Sequence, residues 1–297
     1  MPDSYSEEDR KDLPDLTPEQ EARMWRKIDL RLLPILGSMY CMSFLDRGAS
    51  VVLVSFDYCY SLRGGWKGNI GNARLQGLEA DLGLVGNQYN IALTMFFIPY
   101  CIFECPSNLI LKRARPRIWL PGITVVWGTV MTVMGLVKNY PQLVTCRVFL
   151  GIAEAGLFPG VIYHFTIWYP RHMLQLRIGL FYGTAALSGA FSGLLAFGIS
   201  YMSGTGGFNG WRWIFILEGL GTVIVGLVGF LVLVDFPDTA GFLTPEERDY
   251  VIRRNKYDNF GVGEEERFSV KYIIQAFTDW QVGDLAVAKE IARARLT

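Results

Sequence analysis

Histidine is almost missing from this chain: His164 and His172 are the two in 297 residues. Neither lies in an H-E-x-x-H pair or a triad-like setting, and no G-x-S-x-G, Walker A or C-x-x-C pattern occurs. Hydrolytic, nucleotide-driven and dithiol chemistry have no residues to stand on, so no enzyme activity is expected. Cysteine is sparse too, at positions 41, 59, 101, 105 and 146, four of them inside apolar stretches. Cys101 and Cys105 share a helix face, but no histidine is near enough in sequence to complete a metal site. Core packing is their expected role, and no metal or cofactor is expected.

Charge is the third shortage. Charged residues make up 19% of the chain, where a soluble domain carries closer to about a quarter. The 28 basic and 28 acidic residues cancel, which excludes a global basic surface for nucleic acid. They are also unevenly placed: 1–31 and 235–297 are rich in charge, while 88–234 contains long runs with almost none.

Those runs are apolar. The chain is 51% hydrophobic, with a mean hydropathy of +0.25. A hydrocarbon core about 30 Å thick needs roughly 20 apolar residues in a helix. The windows 91–111, 118–137, 142–165, 178–202 and 213–234 qualify, and 118–137 and 178–202 carry no charge at all. A sixth, shorter run, 32–45, ends on Asp46-Arg47. The expected fold is all-α: a polytopic membrane protein built on a six-helix bundle, with the lipid bilayer as its first partner.

The ends read differently. The first 27 residues are polar and acidic, without the apolar stretch of a signal peptide. Residues 16–29 predict an amphipathic helix with Thr17 as N-cap, Pro18 at N1 and Glu19 and Glu21 in the first turn. Residues 243–258 repeat that design after the last apolar run, and both are expected as helices lying near the membrane. Lys112, Arg113, Arg115 and Arg117, then Arg171 and Arg177, then Arg248, Arg253, Arg254 and Lys256 mark alternate connections as cytosolic. Both termini are therefore expected in the cytosol. Trp211, Trp213 and Tyr201 would then mark the outer interface, and Trp168 and Tyr169 the inner one. Two stripes of small residues, Ala185-Gly189-Gly193 and Gly219-Gly221-Gly226-Gly229, suit close helix approach.

Against this background a few charges stand out. Arg147 and Glu154 lie seven residues apart inside one window, about 10.5 Å along a helix and nearly on one face. Each costs about 2.5–3.5 kcal/mol near the bilayer centre unless it is paired or lines a polar path. They are too far apart to pair with each other, so they must face a polar cavity or find partners on neighbouring helices. Asp46, Arg47, Glu104 and Glu218 are the other intramembrane charges. Buried ion pairs that merely fix helix register are the ordinary alternative. An arginine suits a carboxylate substrate through bidentate hydrogen bonds, and a glutamate in a dry site can carry a proton. The expectation is a small organic anion moved together with protons.

The ordered segments "KIDLRLLPILGSMYCMSFLDR", "NIGNARLQGLEADLGL", "ECPSNLILKRARPRIWLP", "RVFLGIAEAGLFPGVIYHFTIWYP", "GWRWIFILEGL" and "DFPDTAGFLTPEE" carry more than composition. Over residues 17–282 the chain resembles the amino-terminal half of fungal allantoate/nicotinate-type permeases, in the anion:cation symporter branch of the major facilitator superfamily. The resemblance implies proton symport of nicotinate-, allantoate- or pantothenate-like anions by alternating access. It implies substrate contacts for Arg47, Arg147 and Asn72, and proton coupling for Asp46 and Glu154. The plasma membrane is the expected location, with the vacuolar membrane open.

Three features depart from that pattern. Ser107 and Asn108 stand where the superfamily's loop after the second span usually has Gly and Asp. The segment 48–67 separates "FLDR" from "NIGNA", which the family runs together in one helix. Its twenty residues fit a retained short intron, and the insert would displace Asn69 and Asn72 into an outer loop. After residue 282 no apolar run follows, so the second half is expected to be missing. The organisation expected is a cytosolic head (1–31), the six-helix bundle (32–234), a cytosolic linker with a juxtamembrane helix (235–282) and an aberrant tail (283–297). The alternative function is a non-transporting half that needs a second half or a copy of itself.

Overall fold

A computed structural model describes residues 16–47 and 69–259. The 48–67 insert and the 283–297 tail lie outside the described residues. The compact unit built by the described helices is Met1–Tyr257, and the second unit, Asp258–Thr297, lies almost wholly beyond them.

The first helix, α1 (Pro18–Arg47), is 30 residues long and runs unbroken from the charged head through the short apolar run. Its start is a capping box. Thr17 Oγ1 accepts from the Gln20 amide at 3.4 Å, and Gln20 Oε1 accepts from the Thr17 amide at 2.9 Å. The expected membrane-surface helix is thus the lower half of the first spanning helix, because nothing between Asp29 and Leu32 breaks the backbone pattern.

After the insert come two short helices, α2 (Asn69–Leu75) and α3 (Leu78–Asp81), then α4 (Gln88–Arg113), α5 (Pro116–Met134), α6 (Tyr140–Glu154), α7 (Leu157–Trp168), α8 (Arg171–Ser200), α9 (Gly210–Val232) and α10 (Pro245–Asn259). Five segments are long and apolar enough to cross a membrane: Pro18–Asp46, Pro116–Met134, Tyr140–Trp168, Arg171–Ser200 and Gly210–Val232. Helix α4 matches them in length, with 26 residues or about 39 Å, but carries Glu104. The result is a helical membrane bundle in which every apolar window has its helix.

Helix α5 packs tightly against α9. A methyl on Gly128 would lie 3.0 Å from the Gly219 carbonyl oxygen, and one on Gly226 would lie 3.1 Å from the Val125 nitrogen. Lipid offers no hydrophobic drive for helix association, so bare backbone approach of this kind supplies the packing. The second glycine stripe behaves differently: a methyl on Gly193 would meet nothing within 4 Å. One packing expectation is corrected, for Cys101, and the aromatics divide between core and surface. Trp168, Tyr169 and Trp211 are packed inside the protein, while Tyr201 is exposed. Cys101 is exposed rather than in the core, because it lies on the same outward face of α4 as Ile98 and Ile102.

Polar contacts close both ends of the bundle. At the α1 start, Arg177 forks onto Asp29 with bonds of 2.8 and 2.9 Å, and Lys27 reaches Glu247 at 2.7 Å. At the opposite end, Asp81 accepts from Trp211 Nε1 at 3.0 Å and from Arg212 Nη2 at 3.1 Å. Helix α10 also opens on a capping box, with Glu247 Oε2 accepting from the Thr244 amide at 3.0 Å. Burial raises the Glu247 carboxyl, but the Lys27 hydrogen bond, the Thr244 bonds and the Lys27 charge outweigh it and hold it below its ordinary value. A depressed carboxylate contributes stability above its unfolded value and loses it as pH falls through the folded one. Thermal unfolding of the purified chain should therefore show an acid-side loss that Glu247→Gln reduces, by less than about 1 kcal/mol for a partly exposed pair. An unchanged acid limb in that variant would remove the contact from the stability account.

Candidate functional site

Asp46 sits in the last turn of α1 with no exposed surface. Two donors hold it: Trp127 Nε1 of α5 at 2.9 Å and Asn69 Nδ2 of α2 at 3.2 Å. This overturns the expectation that the insert moves Asn69 and Asn72 into an outer loop. Both are buried, and Asn72 donates to the Ser192 carbonyl at 3.4 Å. Asn69, not Asn72, is the asparagine that meets the acids. With 48–67 removed, Asn69 would follow Asp46 by three residues, the spacing that places two side chains on one helix face.

Glu154 is also fully enclosed and accepts a hydrogen bond from Ser43 Oγ, one turn before Asp46 on α1. The backbone breaks immediately after it. Helix α6 ends at Glu154 and α7 begins at Leu157. Pro159 explains the break: it has no N–H to give the Ala155 carbonyl, and its ring crowds that turn. Gly156 fits the gap because Ser107 of α4 occupies the space a side chain would need. Interrupted helices at membrane depth are tolerated where protein encloses them, and in transporters they often border the substrate site.

Arg147 lies two turns before Glu154 on α6 and is 1% exposed. Its Nε and Nη2 donate to no group among the described residues. The charges of Asp46 and Glu154 act on it, as does the Tyr89 phenol. Carboxyl groups thus lie within electrostatic reach of the guanidinium, and the cluster lies inside the bundle. Glu218 of α9, expected only as an intramembrane acid, joins them. It is buried, and it and Asp46 lie within electrostatic reach of each other.

One expected site residue lies outside the described side chains, and another stands away from this group. Arg47 closes α1, but its side chain lies outside the described residues. Glu104 is partly exposed on α4 and is not among the charges acting on Asp46, Arg147 or Glu218. The sequence reading also passed over Ser43, Trp127 and an aromatic group beside them. Tyr40 stacks on Phe181 at 4.0 Å and meets Phe44 at 4.8 Å edge-on. Tyr40, Ser43 and Phe44 recur at helical spacing, a signal indistinguishable from ordinary core packing until the partner helix is known.

Residues 36–285 match the sequence profile of the Major Facilitator Superfamily. The chain belongs to that superfamily. Among its relatives, the MFS-type transporter cnsO of Penicillium expansum is 38% identical over 263 residues, covering 86% of this chain and 47% of its own. The major facilitator-type transporter hxnP of Emericella nidulans is 34% identical over 267 residues, covering 89% and 50%. A putative tartrate transporter of Agrobacterium vitis is 33% identical over 248 residues, covering 84% and 51%. This major facilitator chain therefore spans about half the length of the relatives it matches. A bacterial homologue of the human lysosomal transporter Spinster, inward-facing and unoccupied, shares the fold with a TM-score of 0.58 at 19% identity, over 73% of this chain and 46% of that one. Each of these relatives is named as a transporter.

Proposed function

We propose that this bundle binds a small organic anion at Arg147 and couples its passage to protons carried by Asp46 and Glu154. The observation that carries the reading is the buried guanidinium with two donors unused among the described residues, set among carboxyl groups. A planar fork of this kind matches a carboxylate bidentately. An anion entering the cluster replaces the acids' charge, which favours their protonation; anion and proton then bind together. The helix break after Glu154 supplies a joint near this site. Nicotinate-, allantoate- and pantothenate-like anions are the proposed cargo, in the allantoate/nicotinate branch. The tartrate named for the Agrobacterium vitis relative is a carboxylate of similar size. We place the protein in the plasma membrane with both termini cytosolic, and Arg47 as a further anion contact.

The shared span of half the relatives' length favours a second element: the cycle runs with a second half or a second copy facing this bundle. We further infer that 48–67 is a retained intron, supported by the Asp46–Asn69 contact and tested by a full-length transcript read across those codons.

The direct test is uptake of labelled nicotinate into cells expressing the chain at acidic external pH. Uptake should collapse with a protonophore and fall at least tenfold in Glu154→Gln. Uptake that is indifferent to both would sink proton coupling.

A further inference from the structure

Glu218 has the environment of a proton store. It lies on α9 within the membrane-crossing stretch, is 6% exposed, and neither carboxyl oxygen has a hydrogen-bond partner among the described residues. The helices packed against α9 are chiefly α5, α1, α2 and α8. Four basic groups on these helices have partners of their own among the described residues. Arg117 of α5 donates to the Phe230 carbonyl, Arg31 of α1 donates to the Val232 carbonyl, Arg74 of α2 pairs with Glu79, and Arg177 of α8 pairs with Asp29. The charge that acts on Glu218 is Asp46, of its own sign.

Consecutive residues of α5 bring these two acids together. Trp127 donates to Asp46, and Gly128 packs bare backbone against Gly219, the neighbour of Glu218. The two acids nonetheless have different surroundings. Asp46 accepts from two N–H donors, whereas neither oxygen of Glu218 has one among the described residues. A buried charge with neither donor nor counter-ion is strongly disfavoured, and two like charges sharing a site cannot both ionise. Environments that separate a pair of titratable groups assign their roles.

We propose that Glu218 is a resident proton-carrying site of the bundle, neutral while Asp46 is charged, so that the pair holds one negative charge between them. This rests on the membrane placement above, and it adds to the proposed function a proton that neither Asp46 nor Glu154 supplies.

The test is infrared difference spectroscopy on the full chain in lipid nanodiscs, titrated from neutral to alkaline pH. A protonated carboxylic C=O stretch should be present at neutral pH and lost in Glu218→Gln. Because Gln is neutral and of the same shape, it should keep the fold. In Asp46→Asn, where the neighbouring charge is gone, the same band should disappear at a lower pH than in the parent chain. No protonated carboxyl band at neutral pH, a band unaffected by Glu218→Gln, or a band whose titration ignores Asp46→Asn would overturn the proposal. None of these readings requires transport. An Arg147→Ala chain that has lost anion uptake should still show the Glu218 band, so failure at one site is separable from failure at the other.

Discussion

Replacing Arg147 with alanine should abolish anion-dependent behaviour of the protein while leaving its helices in place. The guanidinium is fully buried with two donors unused among the described residues. A carboxylate docked there is therefore desolvated and depends on those donors for compensation. Truncating one partner of a buried, hydrogen-bonded charge pair costs about 2–5 kcal/mol, which is a loss of more than tenfold in affinity. Arg147→Lys keeps the charge but loses the planar fork, so it should recover only part of the affinity. Two measurements check this: uptake of labelled anion by cells, and the rise in unfolding temperature of the purified chain on adding the same anion. Arg147→Ala should remove both. Full anion-dependent stabilisation in that variant would place the anion elsewhere and leave Arg147 as a counter-charge for Asp46 and Glu154.

The second large effect is expected at a residue with no side chain. Gly219→Ala puts a methyl 2.5 Å from the Thr132 backbone nitrogen and 2.9 Å from the Gly128 carbonyl oxygen. Neither neighbour is a flexible side-chain tip, so α5 and α9 must separate. Overpacking of this kind costs about 1–3 kcal/mol. Gly221→Ala, two residues on, meets nothing within 4 Å and should be neutral or slightly stabilising in a helix. Thermal unfolding of the two variants in one lipid preparation gives a direct contrast. Equal stability would mean that the α5–α9 approach is softer than the geometry implies. The Gly219 variant has a second consequence, because Gly219 adjoins Glu218 and Gly128 adjoins Trp127. Separating those helices also disturbs the surroundings of Asp46.

The relation between chain and fold differs from element to element. The spanning helices were legible because lipid demands about 20 apolar residues for each, and a run of that length is visible without any partner. The charges inside those runs were legible for the same reason: the low dielectric makes each one expensive, so Asp46, Arg147, Glu154 and Glu218 stand out from composition alone. Their grouping was not. Glu218 and Glu104 look alike in sequence, each a lone acid in an apolar helix. The fold buries the first within reach of Asp46 and leaves the second partly exposed on α4. The break after Glu154 had a local cause in Pro159, but a proline within a membrane helix is often absorbed as a kink, so its effect depended on Gly156 packing against Ser107.

Asn69 shows the distinction most clearly. By chain distance it is 23 residues from Asp46, yet the two are hydrogen-bonded at 3.2 Å. Membrane residence, helix count and the set of costly charges are one-dimensional properties, written in runs and in single residues that violate them. Which charges share a site is a property of helix rotation and approach. These follow from the summed packing of Gly128 on Gly219, Ser107 on Gly156 and Trp127 on Asp46, and no single stretch of sequence encodes such contacts.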